Sequence, residues 1–136
     1  MYLCRMDYLS YAFSLRPVIK SWYKGKVYTS EYKDYKRCVY SVSNCVVEHG
    51  LYFPNLRKYK HKIYLDITIS EYYMFMRSGK WTKMTKPTSA SIRRANESIR
   101  AMIYVDMKKV LGLFGIDHGD YKIMIRNIKW DIKYDN

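Results

Sequence analysis

Cysteine is scarce in this 136-residue chain: Cys4, Cys38 and Cys45 are the only three, and no CxxC pair occurs. A disulfide framework or a zinc knuckle is therefore not expected, and a reducing compartment fits best. Histidine is as sparse. His49, His61 and His118 are scattered along the chain, which argues against a histidine metal centre or a histidine-based triad. Phosphate loops of the GxxxxGK[ST] or GxGxxG type, an HExxH helix and a GxSxG elbow are all missing. No apolar run reaches the roughly 18–20 residues that a membrane helix requires. The opening MYLCRMDYLSYAF is interrupted by Arg5 and Asp7 and offers no small-residue cleavage site, so no signal peptide is expected. Acids are short as well, with 12 Asp and Glu against 25 Lys and Arg.

What is present is positive charge and aromatic surface. A net charge of +13 and a pI near 9.6 favour a polyanionic partner, nucleic acid above all. Sixteen tyrosines, four phenylalanines and three tryptophans add flat surfaces on which unpaired bases can stack, although they also suit a core and its rim. The length suits a single domain, 1–136, with a core of its own.

Along the chain, residues 8–15 alternate, with Leu9, Tyr11, Phe13 and Leu15 on one side, as in a half-buried strand. Arg16-Pro17 is expected to end it. Residues 16–28 read as a basic loop or ribbon in which Arg16, Lys20, Lys24 and Lys26 are set among Trp22, Tyr23 and Tyr28. Thr29-Ser30 then resembles an N-cap, and Tyr32, Tyr35, Cys38, Val39, Val42, Cys45 and Val46 recur at three and four, predicting a helix that ends at Gly50. A basic connection over 51–62 leads to a clear strand at 63–73, where Ile63, Leu65, Ile67 and Ile69 share a face and Asp66 lies opposite, as a solvated or lysine-paired acid or as a metal ligand. Residues 77–88, with Lys80, Lys83, Gly79 and Pro87, read as an exposed loop. A second helix begins at Ser89 or Ser91 with the apolar stripe Ile92, Ala95, Ile99, Met102, Ile103, Val110 and Leu111. Asp106 falls inside that stripe, where a carboxylate needs a tyrosine, a lysine or a cation as partner. In the last strand the alternation slips from Tyr121, Ile123 and Ile125 to Ile128, Trp130 and Ile132, which predicts a bulge near Arg126-Asn127. The expected fold is α/β of the α+β kind: one domain, a mixed sheet and two main helices in the order β-α-β-α-β.

Four of the few acids, Glu97, Asp106, Asp117 and Asp120, fall between Arg93 and Asp120. Acids gathered on a basic protein suggest a cation site beside a polyanion site. Two or three carboxylates can hold Mg2+ or Mn2+, which generates a hydroxide and steadies a leaving oxygen in phosphodiester cleavage. A helix with a solvated end looks the same.

RPVIKSWYKGKVYTSEYKDYKRCV, the ANES segment after Arg93-Arg94, and GIDHGDYKI together resemble the RusA-type Holliday-junction resolvases over about residues 8–50 and 92–130. The resemblance implies a homodimeric, Mg2+- or Mn2+-dependent endonuclease nicking branched DNA in recombination and repair, in the cytoplasm of a bacterial or phage-infected cell, with no membrane partner. It implies Glu97, Asp117 and Asp120 as catalytic metal ligands, with Asp106 a further candidate. Arg16, Lys20, Trp22, Lys24, Lys26, Lys80, Lys83, Arg93, Arg94 and Arg100 would bind nucleic acid. Ala95 stands where the family's first aspartate would be, Glu97 where the second would be, and Ser98 where its asparagine would be. That departure implies impaired cleavage. It leaves two other readings open: a non-catalytic DNA- or RNA-binding protein, and a basic structural component of a virion or ribonucleoprotein.

Overall fold

The computed structural model describes residues 15–32, 35–50, 52–53, 55, 58–59, 61–116 and 119–132. A helix, α1, covers 15–23 and is followed by β1 (Val27–Tyr32), β2 (Lys36–Glu48), a small hairpin of β3 (Tyr52–Phe53) and β4 (Lys58–Tyr59), then β5 (His61–Phe75) and β6 (Trp81–Lys83). The long helix α2 (Ser89–Leu113) leads into β7 (Tyr121–Trp130). The main sheet runs β1-β2-β5, with β7 and β6 sharing the far edge of β5. Among the described strands β7 alone is parallel to its neighbour; the other pairings are antiparallel. The α+β class, the mixed sheet and the two helices are thus as expected.

The position of the first helix is not. β1 and β2 stand where a helix over 29–50 is expected, and a bulge in β2 accounts for part of the helix-like spacing. Val42 pairs with Ile67 but Asn44 with Asp66, so Ser43 is an extra residue in β2. Cys38, Tyr40 and Val42 face the core before the bulge, and Cys45 and Val47 after it. The parity change gives a spacing of three at Val42–Cys45, which imitates a helical stripe. The helix lies instead in the stretch read as a ribbon. Leu15, Ile19, Trp22 and Tyr23 pack on one side of α1 at helical spacing. Pro17 lies within α1, which continues through it to residue 23. Gly25, at φ 80°, terminates the turn after α1, and its N–H donates to Val42 O. Apart from the helical Leu15, the expected strand at 8–15 lies outside the described residues.

Both helices cover the same face of the sheet. Ile19 and Tyr23 from α1, and Ala95, Ile99, Met102, Ile103, Met107 and Leu111 from α2, bury against inward residues of β2, β5 and β7. The Tyr23 hydroxyl donates to Met107 O at 3.1 Å, linking the helices. Thr88 caps α2: its Oγ1 accepts from Ser91 N–H at 3.2 Å, and Ser91 Oγ accepts from Thr88 N–H at 2.9 Å. The bulge expected in the last strand is present. Leu65 pairs with Ile125 and Asp66 with Asn127, leaving Arg126 extra. No helix of the described residues is long and apolar enough to cross a membrane.

Candidate nucleic-acid interface

α2 turns its apolar stripe to the sheet and its cations to solvent. Arg93, Arg94, Arg100 and Lys109 are exposed, and the half-buried Lys108 places its ammonium 4.3 Å from the Tyr104 ring centre. Glu97, exposed, and Asp106, half-buried, are the only acids of this helix. A 25-residue helix is about 37 Å long, so the cations form a track rather than a point. Arg100 is anchored by Nη1 donating to Ile125 O at 2.7 Å.

The remaining cations expected at the interface fall into two groups. Lys24 and Lys26 are exposed in the turn after α1. Lys20 is half-buried on α1, close enough to Cys45 to favour its thiolate, and Arg16 is half-buried close to His49. Trp22 stacks on Phe114 at 3.9 Å and 4°, so one face of its indole is already covered. Phe114 is the C-cap of α2, which places this group at the far end of the helix from Arg93 and Arg94. At the other end, Lys80 is exposed in the β5–β6 turn and Lys83 pairs with Glu71 at 3.6 Å.

Among the described residues, Glu97 lies apart from the other expected carboxylates Asp106 and Asp120. Glu97 adjoins Asn96, whose Oδ1 accepts from Trp130 Nε1 at 2.9 Å at the end of β7. Asp120 directly precedes the start of β7, where its carbonyl accepts from His61 N–H at 2.9 Å. Glu97 and Asp120 therefore sit toward opposite ends of a ten-residue strand about 30 Å long. A single ion cannot bridge that span, so Glu97 and Asp120 of one chain do not share an ion. Asp106 is held elsewhere: its Oδ2 accepts from the Tyr40 hydroxyl at 2.7 Å. Nine residues of helix rotate Asp106 about 180° from Glu97. Asp117 lies outside the described residues. Asp66 is bound by Arg126 Nη2 at 2.7 Å, Arg126 Nε at 3.0 Å and Asn127 Nδ2 at 3.1 Å, bonds that hold its carboxyl below the usual range. Among the described residues no group of three or more His, Cys, Asp or Glu is arranged to hold a metal.

Two histidines thought scattered do meet. His49 Nδ1 is 3.2 Å from His61 Nδ1, and Gly50 N–H donates to that same His61 atom at 3.3 Å. Burial, then the neighbouring His49, push His61 down to about 4; burial, then Arg16, also lower His49. Such surroundings oppose an added positive charge on either ring. The signal that would have found it is the β2–β5 pairing, hidden while β2 read as a helix.

Ala95 is buried beside a cavity of about 290 Å3 between the first half of α2 and the sheet. Lys36, Tyr72, Met74, Met84, Ser91 and Arg94 complete its lining. Lys36 reaches across to donate to Ser98 Oγ at 2.8 Å. Lys36 is not singled out in the sequence, where a helix is expected over this stretch.

Compared with protein-family models, curated proteins and solved structures, this chain matches none.

Proposed function

We propose that this protein binds nucleic acid, holding phosphates along the outer face of α2 without gathering a catalytic metal centre there. The observation that carries this reading is the charge imbalance on the solvent side of α2, where Arg93, Arg94 and Arg100 in its first half and Lys108 and Lys109 near its end outnumber the one exposed acid, Glu97. The cations after α1 extend it at one end and Lys80 at the other. Arginine and lysine on one rigid helix can follow a backbone without reading sequence. Cytoplasmic residence in a bacterial or phage-infected cell belongs to the same proposal.

Five phosphate contacts would make affinity fall roughly 10²–10³-fold between about 50 and 200 mM salt. The test is a binding titration with labelled four-way junction, duplex and single strand, each in manganese, magnesium or EDTA. Binding that persists in EDTA, falls steeply with salt and leaves the DNA uncut is the expected result. Symmetric nicks in the junction, lost with EDTA, would instead favour the metal-dependent endonuclease, with Glu97, Asp117 and Asp120 as its ligands on one or both copies of a dimer. No binding to any substrate would overturn the proposal in favour of a structural role.

A further inference from the structure

We infer that the cavity beside Ala95 accepts one unstacked nucleobase while Lys36 and Arg94 hold its adjoining phosphate. This rests on the nucleic-acid reading above and names the part of the ligand that reaches the interior. The cavity is about 290 Å3, near the lower end of the range for small-ligand pockets. Its walls are chiefly apolar: Tyr72 and Met74 from β5, Met84 after β6, and Ala95 from α2. Thioether and aromatic walls suit the flat face of a base, which needs no particular hydrogen bond to stack.

The chemistry of the rim selects the rest of the ligand. Lys36 and Arg94 are the two charged residues of the lining, and both are cations. Ser91 is occupied by the Thr88 cap, so it contributes contact and not a free hydroxyl. A flat group carrying an anion on one side fits this arrangement, and a neutral apolar molecule would leave both cations without a counter-charge. Arg94 belongs at once to the cavity and to the solvent face of α2. A strand laid along the helix thus passes the cavity mouth, and a base rotated out of it can enter. Extrusion costs least from single strands and unpaired positions, so the site favours those over intact duplex.

The test compares anisotropy titrations of one single-stranded oligonucleotide with its counterpart carrying abasic sites along its length. The abasic strand keeps every phosphate and loses the bases, so it is expected to bind about tenfold more weakly. Ala95→Leu, which fills the cavity from α2, should erase that difference while leaving affinity for the abasic strand unchanged. Met84→Phe fills the same space from the loop after β6 and serves if Ala95→Leu melts early. Trp81→Ala, outside the cavity lining, should preserve the difference. Equal binding of the two strands to the unaltered protein would overturn the base pocket and leave the phosphate track standing. A difference that survives both filling variants would also overturn it, placing the stacking elsewhere. No binding of either strand would remove the pocket together with the function it rests on.

Discussion

The bond between Tyr40 and Asp106 shows how a single pair decides what a residue can do. A carboxylate facing the apolar side of a helix has either a partner or a function, and here the partner is a phenol 2.7 Å away. Tyr28 stacks on Tyr40 with ring centres 5.4 Å apart and completes the surroundings. Burial first, then the bond to Asp106, raise the Tyr40 phenol far above its ordinary value, so it stays a donor at every physiological pH. Tyr40→Phe is expected to destabilise the fold by about 1–3 kcal/mol, read by urea denaturation, because the acceptor is left half-buried. Adding Asp106→Asn should recover part of that loss. If Tyr40→Phe were silent, Asp106 would be reaching another donor or water. His61 gives a pH dependence whose sign is fixed. An unfolded histidine takes up a proton near 6.5, whereas His61, fully buried, does so only near 4. Its contribution to stability is complete above 6.5 and is lost as pH falls toward 4, by about 3 kcal/mol. Denaturation of the unaltered protein and of His61→Gln at pH 7 and 4.5 checks this: the substituted protein should lose less between the two. The thiols behave as packing. Burial pushes Cys38 up to about 12 and Cys45 to about 11, so both should react with a thiol reagent only when the protein is unfolded.

Bulges govern what could be read at the scale of elements. β5 and α2 were legible because each keeps one period over most of its length. β7 was legible despite its slip, since the alternation is clean on both sides of Arg126. In β2 the same kind of slip was read as a helix, because Ser43 sits among small and β-branched residues with no charge to mark the outer face. β5 carries a third bulge, at Ser70, where Tyr40 pairs with Ile69 and Val39 with Glu71. Deleting Ser43 would carry Cys45 and Val47 to the outer face of the sheet. That deletion is expected to cost several kcal/mol, the burial of two side chains, and to appear as a lowered urea midpoint. The start of α2, expected at Ser89 or Ser91, falls at Ser89, and Thr88→Ala should cost about 1 kcal/mol by the same measurement. The candidate site was legible only in part. Charge on α2 shows in its sequence, but the cavity is assembled from β2, β5, the loop after β6 and α2. No pattern within one segment reports such a juxtaposition.

For the whole molecule, an excess of cations has to be carried somewhere without disrupting the fold. Several are neutralised locally on or near the sheet, as in Arg37 with Glu31 at 2.7 Å, Lys83 with Glu71 and Arg126 with Asp66. Those exposed pairs contribute little stability, roughly 0–1 kcal/mol each. The cations along α2 are left mostly uncompensated, and that asymmetry sets the face a polyanion would meet. Arg93→Gln with Lys108→Gln and Lys109→Gln should flatten the salt dependence of binding by nearly three phosphate contacts with little change in melting temperature. A slope unchanged by the triple substitution would move the contact to another face. The parallel position of β7 has a consequence for how the chain is made. β1, β2 and β5 are joined by local antiparallel pairings, so this part of the sheet can form early. The far edge of β5 then waits until β7 arrives, about 45 residues later. At ordinary rates of synthesis, roughly 5–20 residues per second, the row of Ile63, Leu65 and Ile67 is an open β edge for several seconds. During that interval the nascent chain is most exposed to pairing with its neighbours, and slowed translation between β6 and β7 would lengthen it.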